Sequence, residues 1–240
     1  MHEEPLWASG PGEILRHGID LLAKDSDANR RLALISIDNS VELAMQTFIQ
    51  LPKRITGIDI SRKQRDDICT SFINLLDGIE THASEKIVGV NLGEIEWFHR
   101  LRNQLYHQGN GLTVERKKVE LYAKIASMLL TSLFGVSLKF PESGSMHLIG
   151  DFINAYASIE QSLRDAPSYY PALTSGRMVN ETIRSSILGP ASHDKLDEIT
   201  RVRNIVVHSP EGAGLITPSL LASTVEIAAK LRSAFPGKRR

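Results

Sequence analysis

Cysteine is almost absent from this chain of 240 residues, with Cys69 standing alone. One thiol excludes an intramolecular disulfide and a cysteine-built zinc site, and it suits a reducing compartment. Cys69 itself reads as a small apolar residue on the helix face from Ile68 to Leu76, since free cysteines are usually just buried. An excess of charge is also lacking: 28 Lys and Arg balance 28 Asp and Glu. No global field therefore draws the protein to nucleic acid or to an acidic membrane surface, and an anionic partner must be held by a local cluster of positive charge. No apolar run is long enough to span a bilayer. The opening MHEEPLWASG is acidic and polar, without the basic start and apolar core of a signal peptide, so a cytoplasmic protein is expected.

Cofactor signatures are missing too. There is no Walker-type glycine-rich loop, no His-Glu-x-x-His and no close acidic cluster, so neither a nucleotide cofactor nor a catalytic metal is expected. His17, His82, His99, His147 and His193 lack partners at ligand spacing and read as surface or packed histidines. The C-terminal Gly-Lys-Arg-Arg240 reads as a frayed basic tail, and Gly212-Ala-Gly214 as a turn.

What the chain does contain is helical periodicity almost everywhere, with no alternation sustained long enough for a strand. An all-α fold is expected. The pattern predicts helices over about 11–24, 26–51 (capped by Asp25 or Ser26 and stopped by Pro52) and from Ser61 onward through Ile79. Others follow over about 92–107, from a Thr113 cap to Phe134, and over about 146–165 and 175–188. One capped by Ser192 ends at His208, and a last one is capped by Thr217 with Pro218 at the first helical position. Between Gly135 and Ser145 lies the best linker candidate, which divides the chain into units 1–135 and 146–240 around a connection at 136–145.

The two units match at three places in the same order. Ser40-Val41-Glu42 corresponds to Ser158-Ile159-Glu160. Arg100-Leu101-Arg102-Asn103 corresponds to Arg201-Val202-Arg203-Asn204, with His107 and His208 at the same offset. The run Val119–Ser127 corresponds to Val225–Ser233. Three ordered matches within elements of one type point to duplication, the second copy being shorter and lacking the first helix.

Each copy thus carries Arg-Asn-x-x-x-His near a helix end. The helix dipole favours positive charge there, but it does not explain an Asn between Arg and His twice. Asn103 and His107, four residues apart, share a helix face, and Arg100 lies on it too; Arg102 must curl back to join them. A planar cation, an amide and an imidazole suit a phosphodiester: Arg grips two phosphate oxygens, His moves a proton and Asn orients either. Glu96 and Glu198 sit nearby as ordinary helical salt-bridge partners.

Arg102-Asn103-x-x-x-His107 and Arg203-Asn204-x-x-x-His208 resemble the motif of the HEPN superfamily, over units spanning about 26–135 and 146–236. The resemblance implies two tandem up-and-down helical bundles related by a pseudo-twofold axis, with the motif helices side by side and both histidines facing one cleft. It implies a metal-independent endoribonuclease acting in toxin–antitoxin or anti-phage defence. Arg102, Asn103, His107, Arg203, Asn204 and His208 would be catalytic, with Arg100 and Arg201 contacting the RNA substrate. A cognate antitoxin, a larger defence complex or an oligomer are the partners it suggests. Some toxin–antitoxin members have a modifiable Tyr two residues past the His; Gly109 and Pro210 stand there in this chain, so that control is not expected. The other reading is a non-catalytic module of the same fold that binds RNA, nucleotide or protein.

Overall fold

The computed structural model describes residues 5–87, 89–108, 113–136, 144–170, 182–208 and 215–235, with backbone alone at 107, 108, 144–147, 184, 191, 207 and 208. All regular structure among them is helical, with no strand, as the periodicity predicts. None of these helices is long and apolar enough to cross a membrane. The chain divides into two compact units, Met1–Pro141 and Glu142–Arg240.

In the first unit, α1 (Leu6–Ala23) and α2 (Asp27–Gln50) form a helical hairpin. Ser26 caps α2, its hydroxyl accepting from the Asn29 N–H. Close approach of the pair rests on Gly18: a Cβ there would lie 2.9 Å from Ile37 Cγ1 and 3.3 Å from the Ala33 carbonyl oxygen. Leu34, Ile37, Val41, Met45, Phe48 and Ile49 of α2 are buried. Around them pack α5 (Phe72–Ala83), α6 (Leu92–Gln108) and α7 (Arg116–Phe134), making α2 the central helix. Between α2 and α5 come a single turn, α3 (Lys53–Thr56), and a short helix, α4 (Arg62–Ile68).

The second unit packs α8 (Gly144–Asp165) on α10 (Pro218–Ala234), with α9 (Gly189–His208) against α10 as well. A π-helical turn at Arg184–Leu188 leads into α9 through Gly189, whose φ is +71°. Ile149, Phe152, Ile159, Ile199, Val206, Ile227 and Leu231 form the core.

Several boundaries differ from the periodic reading. α1 begins at Leu6 and carries Pro11 inside it, where the ring forgoes one intrahelical bond. The helix opened by Ser61 is two helices. Ser61 and Gln64 form a capping box for α4, but Ser71 caps α5 afresh by accepting from the Asn74 N–H. Thr70 donates back to the Asp67 carbonyl, and such local side-chain bonds compete with helix continuation. Cys69 therefore sits half-buried at the break, 3.4 Å from Gln50 Nε2, instead of on a continuous apolar face. Glu115, not Thr113, precedes α7, and Ser192 lies inside the first turn of α9. Thr217 does cap α10, with Pro218 following it. Most of the expected linker, 137–143, and the helix start at 175–181 lie outside the described residues.

Candidate functional site

The first motif is built outward from one buried carboxylate. Asp38 lies on the apolar stripe of α2, between Leu34 and Val41, and is fully buried. Its Oδ1 accepts a 2.7 Å bond from the Tyr122 hydroxyl of α7. Its Oδ2 lies 2.9 Å from His99 Nδ1 and 3.3 Å from Arg102 Nε, both on α6. The Arg102 contact is ionic, without the alignment of a hydrogen bond. Asp38 thus ties together the three helices that meet beneath the motif. A carboxylate can be held in such a site only if several donors replace its water.

Packing fixes the donors in turn. The His99 ring stacks on Phe72, with centroids 3.6 Å apart and planes within 4°. Tyr122 stacks on Phe98 at 4.3 Å. Burial, reinforced by the Asp38 charge, pushes the Tyr122 hydroxyl well above the ordinary tyrosine pKa.

Above this network the Arg102 side chain is 20% exposed. Its Nη1 donates to Asn103 Oδ1 at 2.9 Å, and its Nη2 to Asn39 Oδ1 at 2.8 Å. The guanidinium carbon lies 5.2 Å from the ring centre of Tyr106. Arg102 therefore does curl back to its motif neighbour, anchored from below by α2. Asn103 is half-buried. Arg100 is largely exposed and pairs with Glu96 one turn earlier. The side chain of His107 lies outside the described residues.

The second motif repeats the central contact. Arg203 Nη1 donates to Asn204 Oδ1 at 3.2 Å, the same atoms as in the first copy. Arg203 is buried, with its guanidinium carbon 5.4 Å from the Tyr156 ring centre. Arg201 and Asn204 are exposed, while Glu198 pairs with Lys195 at 2.7 Å. The side chain of His208, like that of His107, is outside the described residues.

Under the sequence match, Tyr156 holds the place of Asp38, Thr200 that of His99 and Ala228 that of Tyr122.

Asp38, Asn39, His99 and Tyr122 are absent from the motif reading. The available signal was Asp38 itself, an acidic residue in a row of apolar ones; its partners 61 and 84 residues away were not legible. The fold also brings Glu42 to Asp38 and His99, with ligand atoms within 4.8 Å of one another. Three donors of these types can hold a divalent ion. Here, however, both Asp38 oxygens already have partners, and the Arg102 guanidinium occupies the place where a cation would neutralise the carboxylate. No family model matches the chain, and comparison with curated proteins and with solved structures finds no match.

Proposed function

We propose that this protein is a metal-independent endoribonuclease of the HEPN type, in which the two motifs form one composite site. The observation that carries the reading is the Arg-to-Asn bond made identically in both copies, Arg102 to Asn103 and Arg203 to Asn204. A guanidinium has five N–H donors. In Arg102, Nε faces Asp38, and one N–H on each terminal nitrogen is taken by Asn103 and Asn39. Among the described residues one N–H on each terminal nitrogen has no acceptor, which leaves the group able to donate to phosphate oxygen. RNA brings its own nucleophile, the 2′-OH. Cleavage then needs a base for that hydroxyl, an acid for the departing 5′-oxygen and positive charge for the phosphorane. His107 and His208 are assigned the proton transfers, Arg102 and Arg203 the charge, and Arg100 and Arg201 the flanking phosphates. Such an enzyme fits a toxin or anti-phage effector, restrained by an antitoxin or a larger complex.

The test is incubation of the purified protein with total RNA in EDTA. Cleavage is expected to persist and to leave 2′,3′-cyclic or 3′ phosphates and 5′-hydroxyls. His107→Ala and His208→Ala should each lower it by about a hundredfold or more, since acid and base act as a unit. Activity lost in EDTA and restored by manganese, or full activity in the double His variant, would overturn the reading.

A second reading has its own support. Arg203 is buried and Arg102 largely so, tied into side-chain networks, as residues that hold a fold together are. Under it the chain is a non-catalytic module that binds RNA, nucleotide or a partner protein, and no cleavage is seen under any condition.

A further inference from the structure

Tyr106 stands out among the large side chains of the first unit because it is 63% exposed beside the most ordered polar network in that unit. It lies four residues after Arg102 and three after Asn103, on the stretch of α6 that carries the motif, and it immediately precedes His107. Its ring is backed by the Arg102 guanidinium at 5.2 Å. That guanidinium does not swing freely, because Asp38, Asn39 and Asn103 hold it at three nitrogens. An exposed tyrosine normally gives up rotamer entropy when it captures a ligand; here the backing cation reduces that cost. The ring meets a planar cation, and with the residue 63% exposed it retains surface for a planar partner.

We infer that Tyr106 is a stacking platform for a nucleobase of a single-stranded RNA, next to the phosphate gripped by Arg102. This rests on the RNA-cleaving reading above and names what the same site recognises. Its chemistry is that of strand-tracking proteins, a cation for the backbone and an aromatic face beside it for a base, here Arg102 and Tyr106. Stacking of this kind favours unpaired strands over duplex, because a paired base has no free face to offer. The corresponding residue of the second motif is Val207, which has no π face. The platform therefore belongs to the first motif and has no counterpart in the second.

The experiment measures binding of the full chain to two probes of equal length in EDTA. One is a 2′-O-methyl oligoadenylate, which cannot be cleaved, and the other is the same backbone without bases. Wild type should bind the oligoadenylate at least about ten-fold more tightly than the abasic strand, the scale of one base–aromatic stack. Tyr106→Ala should lose that preference by weakening oligoadenylate binding while leaving abasic binding unchanged. Tyr106→Phe and Tyr106→Trp should keep it, which separates a ring face from a hydroxyl bond. An unchanged preference in a folded Tyr106→Ala overturns the platform while RNA binding itself stands. No binding of either probe by wild type, together with no cleavage of total RNA, removes both readings. Equal weakening on both probes assigns Tyr106 to backbone contact or to support of Arg102 and also overturns the platform.

Discussion

Asp38 is the residue on which the first motif depends. It faces Tyr122, His99 and Arg102 at once, so its removal leaves a buried hydroxyl, a packed imidazole and a guanidinium without their common acceptor. Asp38→Ala should cost about 3 kcal/mol, the lower end for breaking a buried charged pair because Arg102 retains some water; Tyr122→Phe, which removes one bond to a charged acceptor, should cost about 2 kcal/mol. Urea unfolding of the two variants measures both. Tyr122 also gives the alkaline limb a definite sign. Its hydroxyl has a higher pKa folded than unfolded, so the stability it supplies is complete below the unfolded value of about 10 and is lost as pH rises beyond it. Of the five tyrosines, Tyr122 should yield phenolate absorbance only together with loss of the helical circular dichroism signal. Its ionisation in step with the exposed tyrosines, in a folded protein, would contradict the buried contact.

Two glycines of α1 put helix packing to a direct test. At Gly10 an added Cβ would meet Leu43 Cδ2 at 3.8 Å, an ordinary contact, but Pro11 follows, and a proline ring disfavours helical backbone in a preceding residue that carries a Cβ. Gly10→Ala should therefore change stability by less than about 0.5 kcal/mol, the gain in helix propensity being offset at the Pro11 junction. At Gly18 the same methyl meets Ile37 Cγ1 at 2.9 Å and the Ala33 carbonyl oxygen at 3.3 Å. Gly18→Ala should therefore destabilise by about 1–2 kcal/mol despite the same gain in propensity, because overpacking separates α1 from α2. A lower denaturation midpoint for Gly18→Ala than for Gly10→Ala confirms the hairpin contact. Equal midpoints would place α1 elsewhere.

At the scale of the whole molecule the chain is two compact units divided at Pro141 and Glu142. The first has its own core around α2 and its own polar network, none of whose described bonds needs a residue beyond Val136. A fragment ending at Pro141 should unfold cooperatively with its helical content intact, as a domain with its own core does. Under the composite-site proposal the same fragment should cleave no RNA, because it carries one motif of two. A folded fragment with full activity would make the site a single-unit one.

The sequence by itself was enough for the helical class, which is written in local order as apolar spacing with glycine and proline punctuation. The caps at Ser26 and Thr217 were legible for the same reason, being bonds within three residues. The break at Cys69–Ser71 was not, since an unbroken apolar stripe conceals local polar side chains that outbid the helix. Only the tertiary structure decided what lies under Arg102. Asp38, His99 and Tyr122 come from three helices and acquire a joint role through burial, which turns a solvated acid into an acceptor that must be shared. The same physics explains why the second unit can keep the Arg-to-Asn bond while placing Tyr156 where Asp38 would be: the motif is local, but its support is whatever the neighbouring helices bring to it.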